Sequence, residues 1–342
     1  HYENGEFVVA DPIYARVAPA GSFATTGADM AQFLRANLDG GCVETACVLD
    51  VESVEEMHAT QFRGHPEING MAFGFEEYDR NGRRVLGKGG DTTVFSADVW
   101  VMPDQEFGVF LAFNAPGGGF VRGEVYGAFM DEYFPVDRSV PTTVLSGFED
   151  RAATIAGDYE VSRVSQTDHT KVLGLLETVG VDVVDEGVIS LGVPNGVSEY
   201  VEVDPYVFED RAGSGDRIAF VIDESGTVRL FSDGFVTDHL RKLAVHERPI
   251  VHIGILGGSL LVMLTGLVGW PGVALYRRLR GGRPARRIGD DGGSATVARS
   301  DGGRQSIGTA RRTRWLAGGA IVAVLGVVVG VLYMVVTDLY GF

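Results

Sequence analysis

Between Met71 and Ala115 short apolar runs alternate with turn signals. Two runs that suit strands flank Asn81-Gly82, a dipeptide that favours a tight hairpin turn. Two more apolar runs, 93–102 and 107–114, are split by Pro103-Asp104-Gln105, and the set predicts an antiparallel meander. Helical spacing brackets it. Met30, Phe33, Leu34 and Leu38 share one face of a helix that Thr26 caps, with Asp29 three residues on, and that Gly40-Gly41 stops. Val51, Val54, Met57 and Phe62 predict a second helix over about 50–62, with Asp50 as its cap. In 120–134, Val121, Val125, Phe129 and Tyr133 fall four apart and predict a closing helix. Helix, helix, antiparallel strands, helix is the order of an α+β domain, with helices laid on one sheet. This domain is expected to occupy 1–137.

A linker over 138–150, with Pro141 and small polar residues, leads to a change of period. GDYEVSR, DVVDEGVISLG, YVEVDPYVFED, RIAFVIDESGTVRLFSDG and DHLRKLA alternate apolar and polar positions with turns between them, so 151–246 is expected to form a small all-β, barrel-like and lipocalin-like domain. The remainder, 249–342, reads as a membrane region. Ile250–Trp270 and Leu316–Val336 are each 21 residues without a formally charged side chain, long enough to span a bilayer. Trp270, Tyr276 and Trp315 sit at span ends, as interfacial aromatics do.

Charge sharpens this picture. The 342 residues carry a net −17, yet segment 277–314 holds eleven arginines against three aspartates. A basic loop between two spans belongs on the cytoplasmic side, so the protein is expected in the cell membrane as a multi-pass chain with both soluble domains extracellular. The acidic bulk repels nucleic acid phosphates, and no nucleic-acid partner is expected. Only Lys88, Lys171 and Lys242 are lysines, and an acidic, lysine-poor surface suits solubility in concentrated salt. Cys42 and Cys47, with four residues between them, are either a small disulfide or two small apolar residues. With no histidine nearby they do not make a zinc site, and no cofactor or metal is implied.

The candidate chemistry lies at Gly87-Lys88-Gly89-Gly90-Asp91. A lysine between glycines on a strand lets a ligand approach the backbone closely, since no Cβ stands in the way. Together, PAGSFATTGADMAQFLRANLDGG (19–41) and GKGGDTTVFSADVWVMPDQEFGVFLAFNA (87–115) resemble the serine β-lactamase and penicillin-binding-protein family in its class C-like branch, which includes esterases and D-amino-acid-specific peptidases. The resemblance covers roughly 1–134 and matches the C-terminal half of that domain. It implies that Lys88-Gly89-Gly90 is the family's Lys-[Thr/Ser/Gly]-Gly triplet. Lys88 would then supply positive charge and the Asp91 backbone N–H an oxyanion donor. Gly89, Gly90 and Thr92 would line the substrate site, for a peptide, amide or ester. Tyr2-Glu3-Asn4 is a literal match to the family's Tyr-x-Asn motif, whereas no serine has lysine three residues on, so the Ser-x-x-Lys nucleophile is absent from these residues. Segments 155–176 and 217–231 resemble the β-barrel appendage of some membrane-anchored members. The implied function is a membrane-anchored serine hydrolase working through an acyl-serine intermediate, its nucleophile expected upstream of His1. The alternative is a non-catalytic binding or sensing module of the same fold.

Overall fold

The structure is a computed structural model that describes residues 2–3, 6–9, 21, 23–92, 94–114, 117–138, 143–165, 167, 174, 178–193 and 196–280. A short hairpin, β1 (Tyr2–Glu3) and β2 (Glu6–Phe7), opens it. Helix α1 (Gly27–Leu38) starts with the predicted capping box: Thr26 Oγ1 accepts from the Asp29 N–H at 3.2 Å, and the Asp29 carboxylate accepts from the Thr26 N–H at 3.3 Å. Gly40 and Gly41, at φ +62° and +90°, end it in the left-handed region. A second hairpin, β3 (Cys42–Val43) and β4 (Ala46–Cys47), pairs Cys42 with Cys47, and the two are joined as a disulfide.

Helix α2 (Val51–His58) is capped by Asp50, which accepts from the Ser53 N–H at 2.8 Å. It is shorter than the 50–62 expected. Ala59 is already extended and Thr60–Phe62 form strand β5, because β-branched Thr60 finds a sheet partner in Ala72. Then come β6 (Met71–Ala72), β7 (Glu76–Glu77), β8 (Leu86–Asp91), β9 (Ser96–Met102) and β10 (Phe107–Phe113), in the sheet order β10-β9-β8-β7-β6-β5. Asn81 and Gly82 both take positive φ in a two-residue turn closed by Arg80 and Arg83, as Asn-Gly demands.

Helix α3 (Gly118–Tyr133) covers one face of this sheet, packing on Val85, Trp100 and Met102 through Met130, Tyr126 and Phe129. Helices α1 and α2 cover the other, packing on Leu86, Val99 and Val101 through Leu34, Leu38 and Met57. Of the four-residue repeat that predicts α3, only Phe129 packs on the sheet. Val121, Val125 and Tyr133 are exposed and Met130 is fully buried. A helix with apolar residues on several sides offers more than one four-residue repeat, and spacing alone does not choose among them.

Helix α4 (Phe148–Ile155) begins inside the expected linker. Eight antiparallel strands follow: β11 (Gly157–Val161), β12 (Thr178–Asp185), β13 (Val188–Val193), β14 (Gly196–Asp204), β15 (Val207–Asp210), β16 (Arg217–Ile222), β17 (Val228–Ser232) and β18 (Leu240–Lys242). They pair in sequence order and close, β18 onto β11. The interior is packed with Tyr159, Ile189, Phe208, Ile218 and Leu230, and α4 adds Phe148, Ala152 and Ile155 to the same core. Arg151 on α4 meets the buried Glu202 of β14 with two 2.7 Å contacts, Nε to Oε1 and Nη2 to Oε2. Ile68, from the loop before β6, buries against Val207 and Ala219 of the barrel wall, and the Asn69 N–H donates to Asp233 at 2.7 Å.

The C-terminal residues from Ala244 onward belong to a second compact unit. Its helix α5 (Pro249–Arg280) contains Pro249–Gly266, long and apolar enough to cross a membrane, with none of that stretch buried against protein. This is one candidate span where two were expected. The second, 316–336, lies outside the described residues, as does the basic loop beyond Arg280.

Candidate functional site

Strand β8 is held on one side by β9 along its whole length, from Leu86↔Val101 to Asp91↔Ser96. On the other side β7 pairs only with Leu86 and Gly87. The chain before β7 turns away at Gly74, φ +82°, so Lys88–Asp91 overhang it. The alternation of an antiparallel ladder then fixes which backbone groups face this open side. The Thr92 N–H bonds the Phe95 carbonyl at 2.7 Å and the Tyr78 N–H bonds the Val85 carbonyl at 2.7 Å. Residues 85, 87, 89 and 91 therefore direct their N–H groups away from β9. For Asp91 that direction leads past the end of β7, whereas the Gly89 N–H meets the Tyr78 hydroxyl.

The side chains divide between the two faces. Lys88 lies on the α1 face, half exposed, with its Nζ 2.5 Å from Glu76 Oε1. Gly90 shares that face, and a Cβ there would meet nothing within 4 Å. Gly87 and Gly89 lie on the α3 face, and their missing side chains serve packing. A Cβ on Gly87 would strike the Tyr78 ring at 2.2 Å, and one on Gly89 would strike the Arg122 guanidinium at 2.5 Å. Of the three glycines, Gly90 alone leaves open space. Asp91 turns its carboxylate to the α3 face, where Ser96 Oγ donates to one oxygen and Arg122 Nη2 to the other at 2.8 Å. Thr92 closes the hairpin: its Oγ1 donates to the Phe95 carbonyl and accepts from the Phe95 N–H, both at 3.1 Å. Its hydroxyl is thus engaged locally.

Two carboxyls flank this strand in opposite electrostatic states. Glu77, fully buried, is met by Thr60, by Arg63 at 2.5 Å, by Arg84 at 2.9 Å and by the Gly70 N–H at 2.7 Å. Burial opposes its charge, but these four donors outweigh it and hold the pKa down at about 2. Asp98, opposite Gly89, is also buried, yet Arg122 Nε stands 3.9 Å away and its Oδ1 has no hydrogen-bond partner. Burial dominates there and pushes its carboxyl up to about 6. Tyr78 is likewise raised, chiefly by burial.

The supporting residues Glu76, Arg122 and Ser96 carry no motif in the sequence. They reach Lys88 and Asp91 through tertiary packing, and the only local signal is the run Gly117-Gly118-Gly119. Those glycines admit the hairpin end against the start of α3: a Cβ on Gly119 would stand 2.7 Å from Asp91 Oδ1. Elsewhere, a polar cleft of about 760 Å³ between sheet and barrel is lined by arginines that include Arg80, Arg83, Arg138 and Arg217, interleaved with acids such as Glu67 and Asp233. None of Lys88–Thr92 lines it. Tyr2 and Glu3 lie in the first hairpin, and Asn4 is outside the described residues.

An α+β sheet domain joined to a closed eight-stranded barrel is the class this geometry defines. Among solved structures the chain is similar to an octameric penicillin-binding protein homologue from Pyrococcus abyssi, at 15% identity and TM-score 0.27, covering 63% of this chain and 46% of that one. It is also similar to SurE, at 15% identity and TM-score 0.40 over 63% of this chain and 48% of that one. A structure of SurE with D-Leu gives 15% identity and TM-score 0.35 over 56% and 43%. The chain thus spans less than half the length of these proteins. No protein-family model matches it, and no curated protein matches it.

Proposed function

We propose that this chain forms one wall of an acyl-transfer pocket in a membrane-anchored serine hydrolase of the β-lactamase-like kind, acting on a peptide, amide or ester. The observation that carries the reading is the overhang of β8: an N–H at Asp91 aimed past β7, a bare Gly90 and a half-exposed Lys88, all within four residues. In the proposed pocket the Asp91 N–H stabilises the oxyanion, a contribution on the order of 100-fold in turnover. Lys88 attracts a substrate carboxylate and favours deprotonation of its neighbours. Gly89, Gly90 and Thr92 shape the strand along which the substrate lies. The serine and its lysine come from outside these 342 residues. Helix α5 anchors the protein, and the Cys42–Cys47 bond suits an extracellular, oxidising location.

A second reading, a non-catalytic binding module, is favoured by the ion pair that Glu76 already makes with Lys88. Fluorophosphonate labelling decides between them. The product of the whole gene should be labelled on a serine, and the 342-residue chain should not. Lys88→Ala should slow labelling on the order of tenfold or more. No label on the whole product would leave the binding module, and an unchanged rate in Lys88→Ala would remove Lys88 from the chemistry.

A further inference from the structure

Helix α3 sends Arg122 across the rear of the β8–β9 hairpin. Its guanidinium occupies the volume that any side chain at residue 89 would need. Nη1 donates to the Ala97 carbonyl at 2.8 Å and to the Gly90 carbonyl at 3.4 Å, while Nη2 donates to Asp91 Oδ2 at 2.8 Å. Nε faces Asp98 Oδ2 at 3.9 Å. The side chain is 18% exposed, and its donors are spent on the hairpin rather than offered to a ligand. Ser96 Oγ holds the remaining Asp91 oxygen. The carboxylate of Asp91 is therefore gripped from two sides on the α3 face, while its own peptide N–H leaves the strand in the plane of the sheet, away from β9.

We infer that Arg122 is a positioning residue: it clamps Asp91 from behind the sheet and so sets the aim of the Asp91 N–H at the proposed oxyanion site. The inference rests on the acyl-transfer reading above. It also explains why residue 89 is glycine, since a methyl group there displaces the clamp. Lysine at 122 does not replace it, because a single ammonium cannot reach two carbonyls and a carboxylate in one plane.

The test uses the full chain in detergent micelles with phenylphosphonate, a tetrahedral oxyanion, followed through the Asp91 backbone amide by ¹⁵N NMR. The native chain should show a saturable shift at Asp91. Arg122→Ala should weaken binding at least about tenfold, the worth of one lost hydrogen bond to a charged group, and leave the barrel amides in place. Millimolar guanidinium should restore it where methylammonium does not. Gly89→Ala, which keeps the arginine but takes its space, should weaken binding similarly and serves if Arg122→Ala does not fold. Native-like affinity in both variants, or a loss that guanidinium fails to rescue, overturns the positioning role while the acyl-transfer reading stands. No Asp91 shift in the native chain overturns both.

Discussion

Replacing Glu77 by glutamine removes one negative charge from a fully buried side chain. In the native protein its carboxylate takes Thr60, Arg63, Arg84 and the Gly70 N–H, and Arg84 Nη2 reaches on to the His58 carbonyl at 2.5 Å. One group thus ties the end of α2, β5 and the loop before β6 to the strand that borders β8. Its pKa, lowered from 4.5 to about 2, corresponds to about 3 kcal/mol of stability. A depressed folded pKa means that this contribution is complete above pH 4.5 and is lost as pH falls toward 2. The glutamine keeps the shape but not the charge, so it loses about that amount; Arg63 and Arg84, 33% and 28% exposed, remain partly solvated. Denaturant titrations of native protein and Glu77→Gln, at pH 7 and at steps down to pH 2.5, should differ by about 3 kcal/mol at pH 7 and converge in acid. A variant within about 0.5 kcal/mol of native at pH 7, the ordinary range for a surface substitution, would refute the hub. So would parallel pH profiles.

Three further substitutions probe other parts of the fold. Glu202→Ala, which strands Arg151 at the junction of α4 and the barrel, should cost about 3–5 kcal/mol by denaturant titration, and Arg151→Lys should not retain the native stability because it lacks the fork. Asp98→Asn should stabilise by about 2–3 kcal/mol at pH 7: a carboxyl raised from 3.8 to about 6 costs stability above pH 6, and none below 3.8, so the gain should vanish on acidification.

Much of the fold is legible from short-range patterns. The capping box at Thr26, the Asp50 cap, the Asn81-Gly82 turn and the alternating barrel strands all depend on residues within a few positions of each other. What local pattern leaves open depends on packing. Helix α4 straddles the expected boundary at 150 between linker and β domain, although Phe148, Ala152 and Ile155 carry helical spacing around the acidic pair Glu149-Asp150; eight residues give little periodicity, and the barrel core supplies the rest. The buried face of α3 is chosen by Trp100 and Met102, not by its own repeat. At the candidate site, Lys88 and its glycines stand out by composition. Which glycine is open is decided by Tyr78 and Arg122, from a turn and a helix elsewhere in the chain.

Strand β10 ends the sheet among the described residues, and Phe107–Phe113 contains neither charge nor proline. An uncharged edge of seven residues with no partner strand among the described residues is a template for further strands. The colloidal behaviour of the purified chain should therefore depend on concentration more than on its net charge of −17: sheet growth from molecule to molecule when crowded, suppressed by a single lysine at Val109 or by a short peptide that fills the edge.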